Sequence, residues 1–362
     1  MRLVWATVAG IGDEAEGFQR LTVDLDDGSS GVAINYLRLS ASCAQGDRVL
    51  LNTTAVNLAL GTGGSHFVVA RQGTGTGVAM DVSSSGHVLK LRYTPLQVDV
   101  LAVESQESPH HAVMENAVDL EAMPVVCCGL HSQVPLVAAA AKQADPSLRI
   151  AYCMTDHAAL AMDLSDTVRA CVDSGLLDAT ISCGQAFGGQ YEAVNLHSGL
   201  LAAKHVAEAD VAIVAIGPGV VGTGTAFGHG GVCQGEAINA VSVLGGTPIA
   251  CLRLSFADAR PRHQGVSHHT LAALSKVALA SAIVPVPALP QEFLDAIARA
   301  LDDAGVWSLH TRVDADSGHV APPTLRGIEV RSMGRGITDD PAFFAAAFAA
   351  GEIASRMAST VL

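Results

Sequence analysis

Residues 209–240, ADVAIVAIGPGVVGTGTAFGHGGVCQGEAINA, decide how the rest of the chain is read. Val211–Ile216 is apolar at every position, long enough for a buried strand and too short for a buried helix. It stops at Gly217. A loop of Gly, Thr, Pro and small apolar residues follows, and helix-forming composition resumes near Val232. A strand, a glycine-rich loop and a helix make the repeating unit of a parallel α/β sheet, whose strands are apolar throughout because both faces are covered. The loop is also the stretch best suited to a small anion, because glycines let backbone N–H groups approach it closely.

The same rhythm extends outward. Apolar runs at 125–128, 149–153, 179–182, 249–254, 283–286 and 327–331 alternate with helix-like stretches over 133–144, 158–174, 192–207, 231–244, 268–280 and 291–304, and a last helix covers 341–358. Seven such strands predict a doubly wound, mostly parallel three-layer α/β domain of Rossmann-like type over residues 124–362. Residues 1–95 read differently. Short alternating or β-branched runs at 4–11, 18–25, 32–37, 48–60, 66–71 and 87–93 are separated by Asp26-Asp27-Gly28, Gln45-Gly46-Asp47 and glycine-containing turns at 61–64 and 83–86. They predict a small antiparallel β-barrel or sandwich. A connecting strand and polar linker, with His110 and His111, span 96–123. A GTGTG run at 73–77 echoes 222–225, and a flexible loop accounts for it.

Bulk composition limits the partners. A chain of 362 residues with net charge −14 and no run of Lys or Arg is not built for a phosphate backbone, so no nucleic acid is expected. No uninterrupted apolar stretch reaches the roughly 18 residues of a membrane span, and the N-terminus reads as a first strand, so the expected location is cytoplasmic, away from any membrane. Only 15% of residues are charged, which predicts surface hidden in a homo-oligomer. The eight cysteines include no C-x-x-C pair and read as buried, reduced thiols.

Ligands of open α/β sheets bind beyond the carboxyl ends of the strands, so the residues that follow each strand are the candidates. Most of the chain's His, Arg and Gln outside helices and strands collect there. Gly217-Pro218-Gly219-Val220-Val221-Gly222 satisfies G-x-G-x-x-G, but more Gly and Thr intervene before the helix, and no acid lies at the expected spacing for a ribose. The loop therefore reads as a generic cradle for a small anionic metabolite, phosphorylated or nucleotide-like. Gly217, Gly219, Gly222, Thr223, Gly224 and Thr225 would hold it, together with Arg335 between two glycines; a plain crossover loop is the alternative. His131, Asp156 and His268 are the candidates for acid–base catalysis, and His263, His268 and His269 for a divalent metal, since neutral imidazole serves both. Helix capping by Ser132, Thr155, Asp156 or Ser267 explains parts of the same pattern. A Ser132–Asp156–His hydrolase lacks the G-x-S-x-G elbow.

Three short stretches, CCGLHSQ (127–133), GPGVVGTGT (217–225) and SMGRG (332–336), give the chain a further identity. Over nearly its whole length it resembles an actinobacterial family known only as a domain of unknown function. The resemblance implies one coherent two-domain architecture and no catalytic role for any residue. Two readings stay open: an enzyme acting on a small anionic metabolite, with a nucleotide or divalent metal as cofactor, or a non-catalytic ligand-binding or regulatory protein whose barrel faces a partner. Convergence of His and carboxylate side chains on one point separates them.

Overall fold

The computed structural model describes residues 1–59, 64–73, 86–315 and 325–361. The chain divides into two compact units, Met1–Leu101 and Ala102–Leu362.

The first unit is a closed barrel of β1 (Leu3–Ala15), β2 (Phe18–Leu25), β3 (Ser30–Tyr36), β4 (Arg48–Asn52) and, after the short helix α1 (Thr54–Asn57), β5 (Ser65–Arg71). The order is β1-β2-β3-β5-β4, and β1 pairs with β4 to close it, which leaves no open sheet edge. Four of the pairings are antiparallel, but β3 and β5 run parallel, a departure from the all-antiparallel barrel of the sequence reading. Ala6, Val8, Leu21, Val23, Val49 and Leu51 fill the interior at the two-residue period of a strand. One polar knot sits among them. Gln19 Oε1 accepts from the Cys43 N–H (2.8 Å) and from Asn35 Nδ2 (3.1 Å), and Asn35 also donates to the Ala41 carbonyl (2.9 Å). It ties the β3–β4 connection to the barrel wall. A small hairpin, β6 (Val88–Lys90) and β7 (Val98–Val100), completes the unit. Residues 61–63 and 83–85 of the turns predicted at 61–64 and 83–86, and 74–77 of the run at 73–77, lie outside the described residues.

The second unit holds a sheet of eight parallel strands: β8 (Pro124–Cys127), β9 (Ile150–Thr155), β10 (Ala179–Cys183), β11 (Tyr191–Ala193), β12 (Val211–Ile216), β13 (Thr247–Ala250) and, after the two-residue pair β14 (Leu254–Ser255) and β15 (Gly265–Val266), β16 (Ile283–Val286) and β17 (Thr311–Asp314). Their order is β11-β10-β9-β12-β8-β13-β16-β17. After β8 the chain builds outward through β9, β10 and β11. It returns to insert β12 between β9 and β8, then builds the other side. The loops after β8 and β12 therefore leave in opposite directions, which opens a crevice at the carboxyl edge.

Helices α2 (His111–Asn116), α3 (Val134–Ala144), α4 (Asp166–Asp173), α5 (Leu196–His205), α6 (Cys233–Val243), α7 (His268–Ala272), α8 (Gln291–Asp303) and α9 (Pro341–Val361) cover the two faces. Alternate residues of one strand feed opposite layers. Val125 and Cys127 join the core with Leu200 of α5 and Ile238 of α6, whereas Val126 and Cys128 join the core with Leu136 of α3 and Phe344 of α9. This is the expected three-layer, doubly wound architecture.

The differences from the sequence reading are local. Residues 327–331 form a turn and extended chain instead of a strand, and the eighth place in the sheet goes to β17. Both edge strands, β11 and β17, are short and carry polar residues, so neither has the apolar run of an interior strand. The helix expected over 158–174 shrinks to α4, whose N-cap is Ser165: its hydroxyl accepts from the Val168 N–H (3.1 Å). The helix expected over 268–280 breaks after α7 into a π-helical turn, Ala273–Val277. Gly235 of α6 packs on that turn so closely that a Cβ would sit 2.6 Å from the Ala273 carbonyl oxygen. All eight cysteines are free and buried. Among the described residues no helix is long and apolar enough to cross a membrane.

Candidate functional site

His131 opens the segment after β8 and lies where the β8 and β12 windings diverge. Its Nε2 is 2.7 Å from Ser165 Oγ, and its Nδ1 is 3.2 Å from Tyr152 Oη and 3.3 Å from the Ile216 carbonyl oxygen. The Ile216 carbonyl can only accept, so the imidazole proton is on Nδ1, and Nε2 accepts from the Ser165 hydroxyl, which itself accepts the Val168 N–H. Burial pushes the imidazole down to about 4, so the ring is neutral at pH 7. Every polar atom of His131 is occupied within the fold.

Arg335 sits at the end of a tight turn in which Met333 and Gly334 adopt positive φ (51° and 81°). Its guanidinium reaches Asp258 (3.2 Å) and Asp340 (3.1 Å), two carboxylates that are only 3% and 2% exposed. Asp340 also accepts from Ser255 Oγ (2.6 Å), and Asp258 is held by Arg260 (2.8 Å) as well. Hydrogen bonds from Arg260 keep the Asp258 carboxyl well below the usual range. The arginine expected to hold an anion is thus a tie between buried acids.

The glycine loop folds back on itself. Gly222 bridges His229, the Thr223 N–H and hydroxyl both donate to the Gly228 carbonyl (2.9 Å each), and Thr225 Oγ1 accepts from the Gly228 N–H (3.0 Å). Gly219 and Gly224 supply left-handed turns (φ 87° and 81°), while Gly217 passes so close to Ala159 that a Cβ would meet its carbonyl oxygen at 2.3 Å. The threonine hydroxyls serve the loop's own hairpin.

Asp156 lies in a different set of contacts. Because β9 neighbours β12 in the sheet, the segment after β9 adjoins α6, which follows the β12 loop. A cavity of about 270 Å³ lies there, lined by Thr155, Asp156, His157, Asn195, His197 and Glu236 among others. His157 Nε2 is 3.2 Å from Glu236 Oε2, and its Nδ1 is 3.7 Å from Asp156 Oδ1. Asp156 Oδ2 accepts the Gln185 N–H (2.9 Å). Cys233 also lines the cavity, and burial pushes its thiol up to about 12, which removes it as a nucleophile. The helix α5 starts at the cavity, where Asn195 Oδ1 accepts the Ser198 N–H (3.1 Å).

The third set is the histidine cluster. His263 and His268 meet at 5.1 Å between ring centroids, His268 and His269 at 4.4 Å, and His229 stacks on His269 at 3.8 Å with planes 3° apart. Desolvation, with Arg253 and other cations nearby, keeps these imidazoles neutral: His263 falls to about 3, His269 to about 2, and His229 and His268 also move down. The expected metal candidates are therefore together. The three expected catalytic residues are not: His131, Asp156 and His268 belong to three separate sets of contacts.

Sequence reasoning missed His157 with Glu236, and His229 with the later histidines. Asp156-His157 beside an apolar strand end was a visible signal for the first. The second carries none, because His229 and His268 are brought together only by the loop's return. No curated protein and no solved structure matches the chain. The family model described as "Protein of unknown function (DUF3866)" matches residues 32–351, and the chain belongs to that family.

Proposed function

We propose that the second unit binds a small metabolite bearing an anionic group at the carboxyl edge of its sheet and acts on it by proton transfer through His157. The observation that carries this reading is the imidazole set between Asp156 and Glu236 on the wall of a 270 Å³ cavity. An imidazole so placed can take a proton from a bound ligand and return it. The cavity volume is at the low end for ligand pockets, which suits a metabolite of modest size and not a dinucleotide. The N-terminal turns of α5 and α6 both line the cavity and give it two positive helix ends for the ligand's anionic group. Asp156 and Glu236 select for hydroxyl or ammonium groups on the rest of the ligand.

A second reading is binding without chemistry. It is favoured by the engaged Asp156 Oδ2 and by the inert Cys233 thiol, which take one carboxylate oxygen and one nucleophile out of the cavity's chemistry. The experiment is a thermal-shift screen of small phosphorylated, carboxylated and amino-bearing metabolites, followed by nuclear magnetic resonance of each stabilising compound with the wild type and His157→Ala. Conversion or solvent-proton exchange that vanishes in the variant supports the first reading. Equal binding without conversion supports the second. Failure of every compound removes both.

A further inference from the structure

His229, His268 and His269 offer one ligand nitrogen each within 4.8 Å of one another. Their hydrogen bonds assign the protons. His229 Nε2 is 3.1 Å from the Ala226 carbonyl oxygen, which can only accept, so the proton is on Nε2; the buried Nδ1 lone pair has no hydrogen-bond partner. His268 Nε2 is also buried without a partner. His269 Nδ1 accepts from the Arg253 guanidinium (3.1 Å). His263 differs. The Ser267 hydroxyl accepts the His269 N–H (3.3 Å) and lies 2.8 Å from His263 Nδ1, so that nitrogen is engaged within the fold.

The backbone leaves room for the cluster. A Cβ on Gly231 would stand 3.2 Å from His229 Nδ1 and 3.3 Å from His269 Nδ1, and one on Gly222 would stand 3.2 Å from His269 Nε2. Glycine at these two positions lets the loop and the turn before α6 come close to the imidazoles without a side chain between them. Arg253, 5% exposed, is the cation bonded to the cluster, at His269 Nδ1. A buried lone pair anchored through its other nitrogen to a backbone carbonyl is the arrangement of a metal-ligating histidine and its outer partner.

We propose that His229, His268 and His269 bind a divalent transition-metal ion of the zinc class, and that Arg253 stands in the ion's place until the ion displaces it from His269. Imidazole nitrogens suit zinc, cobalt, nickel and copper. Three protein ligands leave an open position, the pattern of a catalytic rather than a structural zinc site. His263 lies outside the converging set of three and holds the cluster through Ser267.

The test is a calorimetric titration of the chelator-treated full chain with zinc. One equivalent is expected. His229→Ala and His268→Ala should each weaken it by more than about 100-fold, and His263→Ala by only about tenfold, as an outer partner does. Arg253→Met should tighten it by about tenfold, because a competing cation is gone. No zinc binding to the wild type, unchanged binding in His229→Ala or His268→Ala, or a loss in His263→Ala as large as theirs overturns the assignment. Weaker or unchanged zinc binding in Arg253→Met overturns the role given to Arg253. Cobalt(II) on the wild type keeps the question open to failure if a variant does not fold. The strong visible absorption of a four-coordinate nitrogen site is expected, and the weak spectrum of hydrated cobalt is the contrary result.

Discussion

His131 and His229 make an instructive pair. Both follow a strand of the parallel sheet at its carboxyl edge, both are desolvated, and both imidazoles are neutral. His131 has a donor on one nitrogen and acceptors on the other. His229 has a partner on one nitrogen and none on the other. A buried polar atom without a partner carries a cost of roughly 1–3 kcal/mol, so each one calls for a reason, an ion among them. Position at the edge therefore nominates a residue, and the state of its second hydrogen-bonding atom separates a strut from a ligand. Arg335 and Arg253 divide in the same way: one bridges two buried acids, the other donates to an imidazole nitrogen of the cluster.

From that contrast, removing a strut is expected to cost stability and leave binding alone. The largest effect is expected from Arg335→Ala, which leaves Asp340 and part of Asp258 as uncompensated buried charges. A loss of about 3 kcal/mol or more in urea unfolding is predicted, with zinc affinity in the folded fraction unchanged. A stable Arg335→Ala protein that had lost ligand binding would return Arg335 to the site.

His131→Ala comes next. It takes one hydrogen-bond partner each from Ser165 Oγ and Tyr152 Oη and leaves a gap, for a loss of about 2 kcal/mol. The same residue predicts a pH dependence. Its folded value, about 4, lies below the usual 6.5 of an unfolded histidine, so its contribution is complete above pH 6.5 and declines as pH falls from there toward 4. Urea midpoints measured between pH 7 and 4.5 should fall for the wild type and fall less for a His131→Gln variant that folds. Equal slopes would mean that this imidazole is not held neutral.

The smallest stability effect is expected from Glu236→Gln. The Glu236–His157 pair is half exposed, and such pairs contribute under about 1 kcal/mol. Metabolite binding at the cavity should nevertheless weaken. A Glu236→Gln protein with unaltered ligand affinity would separate His157 from the cavity's chemistry.

Much of this was legible in the sequence, for a physical reason. Strands covered on both faces must be apolar throughout, so 125–128 and Val211–Ile216 announce a parallel sheet without help from any alignment. The edge strands β11 and β17 escape that rule, since an edge has a solvated side, and 327–331 imitates a strand that the packing does not use. The site was legible as an edge and not as a constellation. His263, His268 and His269 stand close in sequence, so their nearness was visible, but which of them keeps a free lone pair depends on Ser267 and Arg253. His229 enters only because the glycine loop closes through Gly222, Thr223 and Gly228. The same closure uses the threonine hydroxyls that composition alone offers to an anion.

The most direct test of the central claim is an anomalous diffraction map from a crystal of the zinc-loaded chain, recorded at the zinc edge. The account predicts one strong peak bounded by His229 Nδ1, His268 Nε2 and His269, with the Arg253 guanidinium moved away from His269. A peak at Asp156, His157 and Glu236 instead, or a zinc-loaded cluster with Arg253 still bonded to His269, would contradict it.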